Sequence, residues 1–575
     1  MKFTESPVLA LRLPLWRSRF SLLLLLVAFG VLIGRAVYLQ GMHDDFLQAK
    51  GEARYARAYP VNGTRGRILD RNGDVLAVST PVKSIFAVPK AVELTTRQLQ
   101  TLAQLLEMPR DDLRKKLIDE SRSFVYLKRQ IAPEVAAQVA ALKLPGIYER
   151  REYRRYYPGG EVMAHVLGFT NADDAGQEGI ELAFNEALTG RPGSRRIIQD
   201  RRGSIVEDVE SIKAANGADV QLALDARIQS LAYTQLKTAI DQHRAKGGAV
   251  VVLDARSGEV LALVNLPTYN PNNRSGLSGA QLRNRAVTDM FEPGSTLKPI
   301  TIAVALEQGK VKPDTVIQTA PGTLTIGPNT IRDAHPEGAL TVEQVIQKSS
   351  NVGSAKIALG LSAMQMWEMF EDIGFGQVPE LGFPGEVAGK VRPYKSWKPI
   401  EQATMSYGHG ITVSLVQLAR AYTVFANDGE LKPLELSKAE TLPQGKSVIS
   451  PDTARSMRHM LELAVQAGGT APRAQVMGYR VAGKTGTAHK LENGAYAPDK
   501  YVASFVGFAP VSNPRLIIAV MVDEPSKGQY YGGQVAAPVF AQVMSGSLRM
   551  LETPFDAPIK PIELPPPGAE VKESI

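Results

Sequence analysis

Ser295 and Lys298 stand three residues apart in Phe291-Glu292-Pro293-Gly294-Ser295-Thr296-Leu297-Lys298-Pro299. That spacing is one helical turn, close enough for the amine to reach the hydroxyl. A serine hydroxyl is a weak nucleophile until a base takes its proton, and a lysine desolvated among apolar groups can become that base. The Pro-Gly pair punctuates the chain and the apolar run 300–306 follows at once, so the pattern predicts Ser295 at the mouth of a buried helix, with its backbone N–H at the helix start. Ser295 is thus the candidate nucleophile and Lys298 its base. Taken alone the pair is also what a plain helix N-terminus with a solvated lysine would show, and a chain of 575 residues contains an S-x-x-K or two by chance.

Two further stretches can complete a site. Ser349-Ser350-Asn351 lies between an expected helix at 342–347 and an apolar segment at 357–359. Its hydroxyl can relay a proton and its amide can hold a substrate carbonyl, which acyl transfer needs beside the nucleophile. Lys484-Thr485-Gly486-Thr487 supplies a fixed positive charge for a carboxylate, hydroxyl donors, and a glycine that lets a substrate approach a strand backbone closely. Residues 478–485 also satisfy the spacing G-x-x-x-x-G-K-[ST] of a phosphate-binding loop. That mechanism demands a strand before the loop and an apolar helix after it, whereas Ala471-Pro472-Arg473 precedes and Gly486-Thr487-Ala488-His489-Lys490 follows. No G-x-S-x-G elbow of a Ser/His/Asp hydrolase is present.

The elements that must carry these motifs follow from the rest of the chain. Its length calls for two or more domains with linkers, and 44% apolar with 22% charged residues describes a folded protein. Without cysteine there are neither disulfides nor thiolate metal sites, and cysteine catalysis is excluded. A net charge of +8 fits a basic membrane-proximal part and a solvated surface, since no aromatic-interleaved basic motif points to nucleic acid. Lys2, Arg12, Arg17 and Arg19 precede an uncharged apolar run over 20–34, which Arg35 can extend to 39 by snorkelling. This predicts a cytoplasmic N-terminus over 1–19 and one retained transmembrane helix over 20–39, with everything later outside; no convincing cleavage site follows the run. Residues 40–217 read as a mixed module: a hairpin about Asn72-Gly73, a helix capped by Thr95 or Thr96, and another opened by Pro133. His165 in it reads as a packed, hydrogen-bonded histidine. Beyond a boundary near Asn216-Gly217, residues 218–553 read as a helix over 226 to about 243, a hairpin of strands, a long helical region to about 471, then strands at 501–508 and 516–522. The order predicts an α+β domain with a sheet sandwiched by helices. Residues 554–575, with Pro565-Pro566-Pro567, read as a disordered tail.

S-x-x-K, S-x-N and K-T-G in this order form the signature of penicillin-binding proteins and serine β-lactamases. Together with Arg65-Gly66-Arg67-Ile68-Leu69-Asp70-Arg71-Asn72-Gly73, Tyr157-Pro158-Gly159-Gly160 with His165, and Gly179-Ile180-Glu181, they make the chain resemble a class B penicillin-binding protein, in particular the septal cell-division group. The likeness covers nearly everything from Arg17 to about Met550. It implies the penicillin-binding transpeptidase fold behind an elongated pedestal of the dimerisation-domain type, and a D,D-transpeptidase that cross-links peptidoglycan stem peptides and is inhibited by β-lactams. By resemblance, Ser295 attacks the D-Ala-D-Ala carbonyl with Lys298 as base, Ser349 relays a proton to the leaving amine with help from Lys484, and Asn351 binds the donor amide. Thr485 and Thr487, with Gly486 between them, hold the terminal carboxylate, and the backbone N–H groups of Ser295 and Thr487 form the oxyanion hole. Tyr407, Tyr501, Tyr530 and Tyr531 fall where relatives carry the wall of the cleft.

The resemblance implies no metal and no cofactor. It implies a bacterial inner-membrane location at the division septum, with an FtsW-type glycosyltransferase and other divisome membrane proteins as partners, because no glycan-polymerising motif is present. Two positions depart from the commonest pattern. Ser350 replaces the aspartate of the lactamase form, and His489 stands where relatives often carry Lys or Arg after the K-T-G strand, which makes that charge pH dependent. The competing readings are an elongation-type class B transpeptidase, a D,D-carboxypeptidase, a lactam sensor, and a chain that serves mainly as a divisome scaffold. A scaffold has no physical need for Ser295, Lys298, Ser349, Asn351, Lys484 and Thr487 together.

Overall fold

The computed structural model describes residues 14–39, 56–61, 63–119, 121–199, 205–492, 494–562 and 573. These divide into two compact units, one drawn from Met1–Gly63 and Gly190–Asn216, the other from Thr64–Thr189 and Gly217–Ile575. The pedestal expected over 40–217 therefore draws on both.

In the first unit, a 23-residue helix, Leu15–Val37, is the one helix among the described residues long and apolar enough to cross a bilayer. It starts five residues before the apolar run, because Leu15, Arg17 and Arg19 are good helix formers. Ala56–Val61, Gly193–Gln199 and Ile205–Ile212 form an antiparallel sheet with Gly193–Gln199 in the middle.

In the second unit, residues 64–189 build a smaller sheet around the long strand Val75–Ala87, which pairs with Ile147–Tyr156 and Val125–Ile131. The hairpin about Asn72-Gly73 is present, with Gly73 at φ +93° and the Asp70 carboxylate accepting from the backbone N–H groups of Asn72 (2.7 Å) and Asp74 (2.9 Å). Thr95 caps the helix Thr96–Leu105 in a reciprocal box with Gln98, and Pro133 opens Pro133–Ala141. The motifs with no metal-ligand spacing turn out to be its fastening. Arg65 and Arg155 each place Nε 2.6 Å from an oxygen of the fully buried Glu181 carboxylate, and Arg65 also donates to Asn185 and Thr189. A buried carboxylate with two guanidinium partners is satisfied, whereas any one of the three left alone would not be. Tyr157 and Asn272 exchange backbone–amide hydrogen bonds of 3.0 and 2.9 Å, and His165 Nε2 donates to the Gln281 carbonyl at 2.7 Å, so this module is bonded to the one that follows it in the chain. Burial pushes the His165 imidazole down to about 4, which keeps it neutral.

The larger module, from Gly217 on, is organised on a five-stranded antiparallel sheet in the spatial order Val260–Leu266, Gly247–Asp254, Leu516–Asp523, Ala495–Ala509, Ala482–Glu492. Gly247–Asp254 and Leu516–Asp523 are buried along their whole lengths because helices cover both faces. Alternation along the strand divides the apolar side chains between the two faces. Val250, Val252, Ile518 and Val520 meet Ala226–His243 and Gly532–Met550 on one side. Val251, Leu253, Ile517 and Ala519 meet the larger core around Ile300, Val304 and Leu418 on the other. The stretch expected to be helical up to about 471 also carries short two-stranded sheets, among them Thr323–Ile326 with Asn329–Arg332.

Residues 554–562 and Glu573 depart from the disorder expected of 554–575. Phe555 lies on Tyr479 with ring centroids 4.9 Å apart, Asp556 accepts from Arg480 N and Ser512 Oγ, and Glu573 is buried. These are long-range contacts that a proline-rich composition does not reveal. Pro565-Pro566-Pro567 and the first thirteen residues lie outside the described residues.

Candidate active site

Ser295 lies in the 3-10 turn Gly294–Leu297, and the α-helix Lys298–Glu307 starts where that turn ends. The expected helix start is therefore a tighter one, in which positions i and i+3 eclipse, so Ser295 and Lys298 share a side. Tyr422, itself fully buried, donates from its hydroxyl to the Thr296 carbonyl at 2.8 Å and fixes the turn from behind. Ser295 is 4% exposed and Lys298 wholly buried, so the amine stays dry.

The Lys298 amine donates to Ser349 O at 2.5 Å and to Ser349 Oγ at 2.9 Å. Ser349 ends the helix Val342–Lys348 in the left-handed region, at φ +61° and ψ +40°. Holding a non-glycine residue there costs of order 1 kcal/mol and persists only where the surroundings enforce it. Asp333, at the end of the strand Asn329–Arg332, does much of that enforcing. Its carboxylate accepts from Ser350 Oγ (2.6 Å), Asn351 N (2.5 Å) and Val352 N (3.0 Å), the last two at the start of the helix Asn351–Leu359. Ser350 Oγ in turn accepts from Gly353 N at 2.8 Å as the N-cap, and Asn351 Nδ2 donates to Arg332 O at 3.3 Å. The middle residue of S-x-N thus has a structural task, and a serine performs it by capping. Asp333→Ala is expected to lower stability by about 1–3 kcal/mol, read by thermal unfolding.

The K-T-G segment lies on the edge strand Ala482–Glu492, with Thr485 opposite Phe505 and Thr487 opposite Ala503. A Cβ on Gly486 would come 2.7 Å from Pro293 O and 2.4 Å from Ser504 Oγ, so glycine is required here because the turn bearing Ser295 crosses the strand. Lys484 and Thr485 are fully buried; Lys484 Nζ reaches Thr485 Oγ1 at 3.2 Å and Thr485 Oγ1 reaches Thr470 Oγ1 at 3.1 Å. Thr487 Oγ1 accepts from Gly532 N (2.9 Å) at the start of Gly532–Met550.

Two lysines in one dry pocket do not both keep a proton easily. Burial and the neighbouring Lys484 ammonium push Lys298 well below the ordinary lysine range, against the pull of Asp333 and Glu573. Burial brings Lys484 down to about 8, with Glu573 opposing. Of the two, Lys298 is displaced further from the ordinary lysine range.

The expected aromatic wall resolves into two groups. Tyr501 stacks on Tyr530 at 4.1 Å, Tyr530 meets Tyr531 at 4.6 Å, and Tyr531 is the N-cap of Gly532–Met550. His489 joins this ladder with its ring 4.7 Å from Tyr501 and its Nδ1 donating to Ala497 O at 3.1 Å. Tyr407 is buried and lies 5.2 Å from His409. Burial, the largest cause, holds the His409 imidazole down to about 4. Asp333, His409, Thr470 and Glu573 are the neighbours that the motifs did not mark, and none sits at a telling spacing from them.

Two family descriptions match stretches of the chain. The family description "Penicillin binding protein transpeptidase domain" matches residues 248–545, and "Penicillin-binding Protein dimerisation domain" matches residues 60–222. The chain belongs to the class B penicillin-binding proteins. It is 46% identical over 551 residues to the "Probable peptidoglycan D,D-transpeptidase PenA" of Neisseria gonorrhoeae, covering 95% of this chain and 94% of that protein. It is 40% identical over 547 residues to the peptidoglycan D,D-transpeptidase FtsI of Escherichia coli K12, covering 94% and 93%. Among solved structures, the apo transpeptidase domain of Burkholderia pseudomallei penicillin-binding protein 3 aligns at a TM-score of 0.55 with 49% identity, over 59% of this chain and 98% of that one. A peptidoglycan synthetase from Bifidobacterium adolescentis aligns at 0.70 with 28% identity, over 88% and 99%.

Proposed function

We propose that this chain is a peptidoglycan D,D-transpeptidase that cross-links stem peptides of the septal wall through an acyl-serine intermediate, and that β-lactams inhibit it by acylating the same serine. The names of the relatives support the substrate, and the Lys298–Ser349 contact beside Ser295 is the observation that carries the chemistry. Neutral Lys298 takes the Ser295 proton as Oγ attacks the penultimate D-alanine carbonyl carbon of the donor. The oxyanion is held by the N–H groups of Ser295 and Thr487. The proton passes from the Lys298 ammonium through the Ser349 hydroxyl to the departing nitrogen, the C–N bond breaks, and free D-alanine leaves the acyl-enzyme. Asn351 holds the donor amide; Lys484, Thr485 and Thr487 hold its terminal carboxylate, with Gly486 admitting it to the strand. An acceptor amine on a second stem then attacks, gives up its proton by the reverse route, and restores Ser295. Tyr407, Tyr501 and Tyr531 flank the substrate path.

The helix Leu15–Val37 anchors the chain once in the bacterial inner membrane, with the N-terminus cytoplasmic. Residues 40–217 serve as the pedestal and 218–553 as the periplasmic transpeptidase domain. Nascent strands come from an FtsW-type glycosyltransferase among other divisome membrane proteins.

Incubation with a pentapeptide donor and an amine acceptor is expected to give cross-linked product and D-alanine in equal amounts. D-alanine with a hydrolysed stem and no cross-link would contradict transfer. The pH profile follows from the two lysines. Attack needs Lys298 without its proton and carboxylate binding needs Lys484 with its own, so the rate rises as Lys298 deprotonates and falls as pH passes about 8. Lys484→Arg keeps the charge and is expected to remove the falling limb, read as the acylation rate across pH of about 5 to about 10.

A further inference from the structure

The subsite assigned above to the donor's terminal carboxylate already holds a carboxylate of this chain. Glu573, 3% exposed, accepts from Thr487 Oγ1 at 2.8 Å through Oε2 and from Gly533 N at 2.7 Å through Oε1. The second donor is at the N-terminus of the 19-residue helix Gly532–Met550, which favours negative charge. Burial pushes the Glu573 carboxyl up, and the nearby Lys484 charge with the Gly533 and Thr487 donors opposes it, so Lys484 supplies the countercharge. A hydroxyl, a helix N-terminus and an ammonium thus converge on one anion, a built site rather than a chance surface contact.

We propose that the Glu573 carboxylate is an intramolecular competitor for the donor stem's terminal carboxylate, so that the C-terminal segment restrains acylation until it is displaced. The inference rests on the proposed function, since it names an occupant of that function's own subsite. Glu573 offers the recognised charge without a peptide bond at the attack position, so it can occupy the subsite without being turned over. Glu573 belongs to the same chain as the subsite, and a ligand so joined competes at an effective concentration on the order of millimolar. Even weak intrinsic binding then suffices to keep the subsite mostly filled. Penicillins carry a ring carboxylate, so they must displace Glu573 as the stem peptide does.

The second-order rate constant for labelling full-length chain by a fluorescent penicillin reads this directly. If Glu573 fills the subsite in about nine of ten molecules, Glu573→Ala labels Ser295 about tenfold faster than wild type. Glu573→Gln, which keeps the shape and loses the charge, falls between the two. Glu552→Gln makes the same charge change at an exposed position and is expected to label at the wild-type rate. Labelling of Ser295 at equal or lower rate in Glu573→Ala overturns the competition and leaves the transpeptidase intact. A wild type that labels barely while Glu573→Ala labels readily supports it in its strongest form. If neither chain takes label on Ser295, both the competition and the acyl-serine function are overturned.

Discussion

Lys298→Gln is expected to slow acylation of Ser295 by about three orders of magnitude, with the fold intact. The amine is the buried group placed to accept the Ser295 proton, on the same side of a tight turn and linked onward to the Ser349 hydroxyl. Glutamine still donates to the Ser349 carbonyl, so the left-handed turn keeps a partner while the proton acceptor is lost. The unfolding midpoint should therefore stay within a few degrees of wild type, since the Ser349 carbonyl keeps a donor. The residual rate should also lose the rise with pH that comes from Lys298 deprotonation. A variant that labels at the wild-type rate would remove Lys298 from the mechanism.

Ser295→Ala is expected to have the larger effect. Removing the nucleophile abolishes the covalent intermediate, so labelling falls at least about ten-thousandfold and D-alanine release with it. Ser295 is small, nearly buried and needs no volume replaced, so the protein should stay folded and membrane-bound. Binding of the donor without reaction should persist, because Lys484, Thr485, Thr487 and Asn351 are untouched.

The chemistry was legible because three short motifs hold most of the reacting groups, each at an element boundary that local signals mark. Pro293-Gly294 announced the turn, and Gly486 announced the crossing of turn and strand. The helix Ala226–His243 and the strands flanking it were legible from apolar periodicity, since each is long enough to show one. Strands of two to four residues, such as Thr323–Ile326, are too short to show a period and vanished into the helical region. Asp333 was illegible because a lone aspartate after a short hairpin has no spacing to Ser350; only the fold brings them to 2.6 Å. Arg65, Arg155 and Glu181 stood out as motifs, but their joint burial as one ion cluster is a property of three distant segments. The tail misled for the same reason, because Phe555, Asp556 and Glu573 find partners far along the chain that composition cannot name.

The central claim is that Ser295 carries the acyl group, and peptide mapping by mass spectrometry after exposure of the membrane-bound wild-type chain to penicillin tests it most directly. One adduct of the intact penicillin mass on the peptide containing Ser295, absent from Ser295→Ala, is the predicted result. An adduct on another residue, or none at all, would contradict the account.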